Sequence, residues 1–110
     1  LEEAWREAIK DGRITAYEER MLSDLQVVLG YSDDEVKLLS ARIAAEYALR
    51  RGRLTTDQIS LIRVGIDAMG KHEKWRQQFE DIATEGKLSV KDTLLLGKLV
   101  FALDFAEEEE

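Results

Sequence analysis

Five glycines divide this chain into segments of helical spacing, and the residues that follow them start the next segment. Gly12, Gly30, Gly52, Gly70 and Gly86 each close a stretch of helical apolar periodicity. Glycine just past a helix end takes the left-handed conformation that satisfies the last carbonyls. Start signals follow the glycines. Thr15-x-x-Glu18, Ser32-x-x-Glu35 and Thr55-x-x-Gln58 fit the capping box, and Ser89-x-x-Asp92 is a shorter version. In each, the hydroxyl accepts a hydrogen bond from the third helical amide, while the side chain at that position accepts from the cap amide. The pattern predicts helices over 2–11, 16–29, 33–51, 56–69, 72–85 and 90–105. No window alternates apolar and polar residues long enough to suggest a sheet. The expected fold is all-α: six helices arranged as three helical hairpins in one compact bundle over residues 1–106, followed by a solvated acidic tail over 107–110.

The joints inside the hairpins share one chemistry. They read Gly12-Arg13-Ile14-Thr15, Gly52-Arg53-Leu54-Thr55 and Gly86-Lys87-Leu88-Ser89. Each is a glycine, a base, a branched aliphatic and a hydroxyl. The last two lie about 34 residues apart, the tetratricopeptide period, but the Trp, Leu-Gly, Tyr and Pro positions of that repeat are missing.

Composition removes most kinds of chemistry. The chain has 110 residues, 45% hydrophobic, enough for one domain with its own core. It has no cysteine and one histidine, which excludes disulfides, thiolate nucleophiles and multi-histidine metal sites. There is no Ser/His/Asp set and no phosphate loop, so an enzyme is not expected. Net charge is −7, which repels nucleic acids and anionic lipid surfaces at long range. The ends of the chain are acid-rich and the middle is base-rich. The bases split into Arg50, Arg51 and Arg53 at one end of the fourth helix and Lys71, Lys74 and Arg76 beyond the other, ~20 Å apart. They form no continuous basic face, so no nucleic-acid partner is expected. The longest apolar stretch is interrupted by Lys98 and is far short of the ~20 residues of a membrane span. No signal-peptide core is present near the start, so no membrane insertion is expected and the expected setting is cytoplasmic. The chain begins with Leu1, as a piece of a longer protein would.

The first joint carries the most specific signal. In a calcium-binding EF-hand loop of twelve residues, glycine is sixth, an aliphatic eighth and glutamate twelfth. Gly12, Ile14 and Glu18 occupy those places, with Glu7 first and Asp11 fifth. Glu7, Asp11 and Glu18 are therefore the candidate metal ligands, for calcium. Ile9 stands at the third place without a side-chain oxygen, and Lys10 adds a positive charge. The competing reading is a capped turn in which Glu18 serves the capping box.

The same segment, Ala8-Ile9-Lys10-Asp11-Gly12-Arg13-Ile14-Thr15-x-x-Glu18 with Leu22, Leu25 and Leu29-Gly30-Tyr31-Ser32-x-x-Glu35, resembles the repeated unit of TerB-like domains. The resemblance covers about residues 4–36. It implies an all-helical domain of the kind associated with tellurite resistance and related stress systems, with links to acidic metal sites and membrane-associated complexes. Asp11 and Glu18 are the acidic motif positions it carries over. Arg51 and Glu85 replace the aspartate in the later joints.

The apolar faces point to protein contacts. The second helix carries Met21, Leu22, Leu25, Val28 and Leu29 as one stripe. The fourth and sixth are apolar nearly all round, and such a helix is either central or covered by a partner. Gly65 and Gly97 interrupt these two helices, where glycine costs ~1 kcal/mol relative to alanine. Either position suits a close helix approach. Asp67 has Arg63 one turn away as a surface pair, and Trp5 and Trp75 suit core or interface anchors. The leading expectation is a non-enzymatic module that binds a protein partner or a second copy of itself. Leu95, Leu99, Phe101 and Phe105 of the sixth helix are the candidate contact residues. The alternative is a divalent-cation module using Glu7, Asp11 and Glu18.

Overall fold

One helix is buried on every side, and the others are arranged around it. In the computed structural model, which describes residues 1–70 and 72–109, residues 38–45 of α3 (Asp33–Arg51) are all buried. Ala41, Ala44 and Ala45 keep this stretch thin, so neighbours close in from several directions. The order is α1 (Glu2–Ile9), α2 (Ala16–Leu29), α3, β1 (Arg53–Leu54), α4 (Thr56–Asp67), α5 (His72–Glu80), β2 (Gly86–Lys87) and α6 (Val90–Glu109). The all-α architecture with six helices is as the sequence predicts. The main packing partners of α3 are α4 and α6. Ile43, Leu38, Ile62, Ile66, Leu99 and Leu103 form the centre of the core. Among the described residues, no helix is long and apolar enough to cross a membrane.

Gly65 is required by the α3–α4 contact. A Cβ at this position would lie 2.1 Å from the Ala41 methyl and 2.8 Å from the Lys37 carbonyl oxygen. The glycine's propensity cost is therefore offset by the closeness of the two helices.

The three joints meet at one end of the bundle. Joints two and three pair as a short antiparallel ladder, with Arg53 opposite Lys87 and Leu54 opposite Gly86. Two residues per strand are too few to leave a periodic signal, which is why no sheet is predicted from the sequence. Joint one docks on the start of α4. The Ile14 amide donates to Asp57 Oδ2 at 2.8 Å, and the Thr55 hydroxyl donates to the Gly12 carbonyl. Gly12 has φ +83°, and a Cβ there would strike the Thr55 methyl. All four capping signals form, including the Ser89–Asp92 version.

Four helix ends differ from the expectation. α1 stops at Ile9 and α4 at Asp67, in both cases with right-handed caps rather than at Gly12 or Gly70. α5 stops at Glu80, which frees Ile82 to turn into the core. α6 runs on through Glu109, so Glu107 is not a solvated tail residue: its carboxylate is bound by Arg42. Glu110, and Lys71 of the second basic group, lie outside the described residues.

Arg42 anchors that end of α6. Its guanidinium is almost wholly buried and meets Glu2 of α1 at 2.7 Å, Glu46 at 3.0 Å, Asp104 at 3.8 Å and Glu107. Arg6 joins the network through Glu46 at 2.9 Å. Burial pulls the Arg42 pKa down, but the hydrogen bonds to Glu107 and Glu2 outweigh it and leave the group more firmly protonated than usual. Glu2 is held below the ordinary carboxylate value, chiefly by its hydrogen bond to Arg42. Burial pushes Glu107 up, and Arg42 only partly reverses this. The network joins α1, α3 and α6 by charge where the sequence suggests only a frayed end.

On the opposite side, Arg63 of α4 holds Glu80 of α5 with two hydrogen bonds of 2.7 and 2.8 Å. Asp67 pairs with Arg76 of α5 at 2.5 Å rather than with Arg63. The predicted helix-surface pair is thus replaced by two links between helices.

Candidate interaction surface

The residues proposed for calcium each have another partner. Glu7 binds Lys10 at 2.7 Å. Asp11 accepts from the Arg13 amide at 3.1 Å, closing the turn on itself. Glu18 accepts from the Thr15 amide at 2.9 Å and completes the capping box. The cavity bordering Asp11, about 220 Å³, is lined also by Glu85 and by Arg13, Arg51 and Arg53, so its bases outnumber its acids. Among the described residues, no group of three or more His, Cys, Asp or Glu side chains could hold a metal ion. The EF-hand spacing is reproduced by the chain, but its three carboxylates are not gathered. Turn and capping chemistry engage Asp11 and Glu18, and a surface ion pair engages Glu7.

The candidate contact residues of α6 separate by face. Leu99 is 1% exposed and belongs to the core, so its assignment to a contact surface is corrected. Leu95 is half-buried and packs against the same core. Phe101 and Phe105 point outward, 78% and 63% exposed. Two further residues share their line: Val90 at 81% and Leu94 at 64%. With 100° per residue, positions 90, 94, 97, 101 and 105 fall within an arc of about 80° and span about 22 Å. Leu96, Leu99 and Leu103 occupy the opposite side and face α3. The helix is therefore apolar on two faces, and only one is covered.

Gly97 lies in the middle of the outward line. A Cβ there would meet nothing within 4 Å. Unlike Gly65, this glycine answers no contact within the chain. Beside Leu94 and Leu95, a groove of about 490 Å³ opens between α6 and the end of α5, lined also by Ile82, Lys91 and Lys98. The exposed charges of α6 change sign along its length: Lys91 and Lys98 lie in the first half, Asp104, Glu108 and Glu109 in the second.

A second apolar surface lies on α2. Only Leu22 of this helix is buried, whereas Tyr17, Met21, Val27 and Val28 are 52% to 80% exposed. The predicted stripe of α2 therefore turns mostly to solvent. The two tryptophans are core anchors: Trp5 is buried, with its indole N–H unpartnered, and Trp75 packs against the core. His72 stands exposed at the start of α5.

The chain matches no protein-family model, no curated protein and no solved structure.

Proposed function

We propose that the chain is a non-enzymatic helical interaction module that docks another protein surface through the outward face of α6. The reading rests on one observation: Val90, Leu94, Phe101 and Phe105 line up in the open on a helix whose other face already fills the core. A contiguous apolar strip of this kind on a folded domain marks a binding surface, with aromatic side chains as the anchors. The resemblance of residues 4–36 to TerB-like units supports reading it as the soluble part of a larger stress-related or membrane-associated protein.

Photo-crosslinking tests the reading. A benzoylphenylalanine replaces Phe101 in one variant and the exposed Glu73, on a different helix, in another. The reading expects protein adducts from position 101 and none from position 73. Equal yields, or none at 101, would contradict it.

A further inference from the structure

We infer that the occupant of the α6 face is a second copy of this chain, paired antiparallel to the first and crossing at Gly97. The inference rests on the docking reading above and adds to it the identity and orientation of the partner.

Two observations carry it. First, the exposed line is palindromic. Val90 and Phe105 are equidistant from the Gly97–Lys98 bond, and so are Leu94 and Phe101. A twofold axis through that point sets Val90 against Phe105 of the partner subunit and Leu94 against Phe101 of the partner subunit. Each small side chain meets a large one, as layered helix packing requires. Second, the glycine falls on the axis. Two antiparallel helices approach most closely where their lines cross, and Gly97 offers no side chain there. Nothing inside the chain accounts for a glycine at this position. The groove beside Leu94 gives the facing phenylalanine ring space to enter.

The area is enough for a weak dimer. Covering two largely exposed phenylalanines, a valine and a leucine removes on the order of 500 Å² of apolar surface from each copy. The pair then reaches ~1,000 Å², where specific interfaces begin. Weak self-association, detectable between about 1 µM and 1 mM, is expected.

The absence of native cysteine makes crosslinking clean. Single-cysteine chains Leu94→Cys and Phe101→Cys are oxidised alone and as an equimolar mixture, alongside sedimentation of the unaltered chain from 1 µM to 1 mM. The expected result is a monomer–dimer equilibrium, with disulfide-linked dimer forming at least tenfold faster in the mixture than in either chain alone. In an antiparallel pair, positions 94 and 94 of the two copies are about 10 Å apart along the axis, too far to bridge. Faster linkage of each chain to itself would mean a parallel pair and overturn the proposal. A monomer at 1 mM overturns it as well. If position 101 still gives adducts with a different protein, only the self-pairing has failed. If it gives none, the docking reading has failed too.

Discussion

The two glycines inside helices respond oppositely to the same substitution. At Gly65, a methyl would sit 2.1 Å from the Ala41 methyl, whereas carbon atoms in good contact are 3.5–4.0 Å apart. The two helices must separate by well over 1 Å to admit it. Rotation of a side chain cannot relieve this, because both obstacles are fixed: an alanine methyl and the Lys37 carbonyl. Overpacking of this severity costs about 3 kcal/mol, and the gain in helix propensity returns ~1. Gly65→Ala should therefore lose about 2 kcal/mol, or roughly 10 °C in Tm for a domain of this size. At Gly97 the methyl meets nothing, so Gly97→Ala should gain up to ~1 kcal/mol and a few degrees. Urea unfolding at 1–2 µM, at the dilute end of the range of the proposed self-association, measures both with the least contribution from association. A Gly65→Ala protein as stable as the parent would refute the close α3–α4 packing. A Gly97→Ala protein destabilised at this concentration would show that an intrachain contact at α6 has been missed.

Three further outcomes follow from the charged groups. Arg42→Met strands Glu2, Glu46, Asp104 and Glu107 around an apolar side chain. Breaking a buried pair costs ~3–5 kcal/mol, and because these acids partly reach water the expected loss is about 2. Burial already pushes Glu107 up, and without the cation that push is unopposed, so the deficit should shrink between pH 7 and 5; denaturant midpoints that stay parallel across that range would contradict the network. Glu80 lies below its ordinary value of 4.5, chiefly through its hydrogen bond to Arg63. A depressed pKa stabilises above the unfolded value, and that stabilisation is lost as pH falls through the folded one. Glu80→Gln should therefore unfold earlier than the parent at pH 7 and approach it as pH falls below 4.5, as followed by circular dichroism. Calcium added to chelator-treated protein should give no heat of binding up to millimolar concentration, whereas micromolar binding would reinstate Glu7, Asp11 and Glu18 as ligands.

The helical framework was legible because local chemistry writes it. Thr15, Ser32, Thr55 and Ser89 cap their helices through hydrogen bonds that span three residues, so sequence spacing alone reveals them. Contacts between distant residues leave no such trace. The pairing of Arg53 with Lys87 joins two joints through two residues apiece. The capture of Glu107 by Arg42 crosses 65 positions and turns an apparent tail into the end of a helix. The first joint shows the converse. Its twelve-residue spacing matches a calcium loop, and turn and cap each engage an acid there, Asp11 and Glu18. On α6, both apolar faces were visible at helical period, but nothing local says which one turns inward. Leu99 and Phe101 lie two residues apart and are 1% and 78% exposed. The packing of α3 against Leu96, Leu99 and Leu103 decides the matter.

Amide spectra of nitrogen-15-labelled chain recorded from 10 µM to 1 mM test the α6 surface most directly. Concentration-dependent shifts are expected at Val90, Leu94, Gly97 and Phe101 and are absent from Phe101→Asp, with the core leucines 96, 99 and 103 moving less. Shifts confined to Tyr17, Met21 and Val28 of α2, or spectra that do not change with concentration, would contradict the α6 pairing.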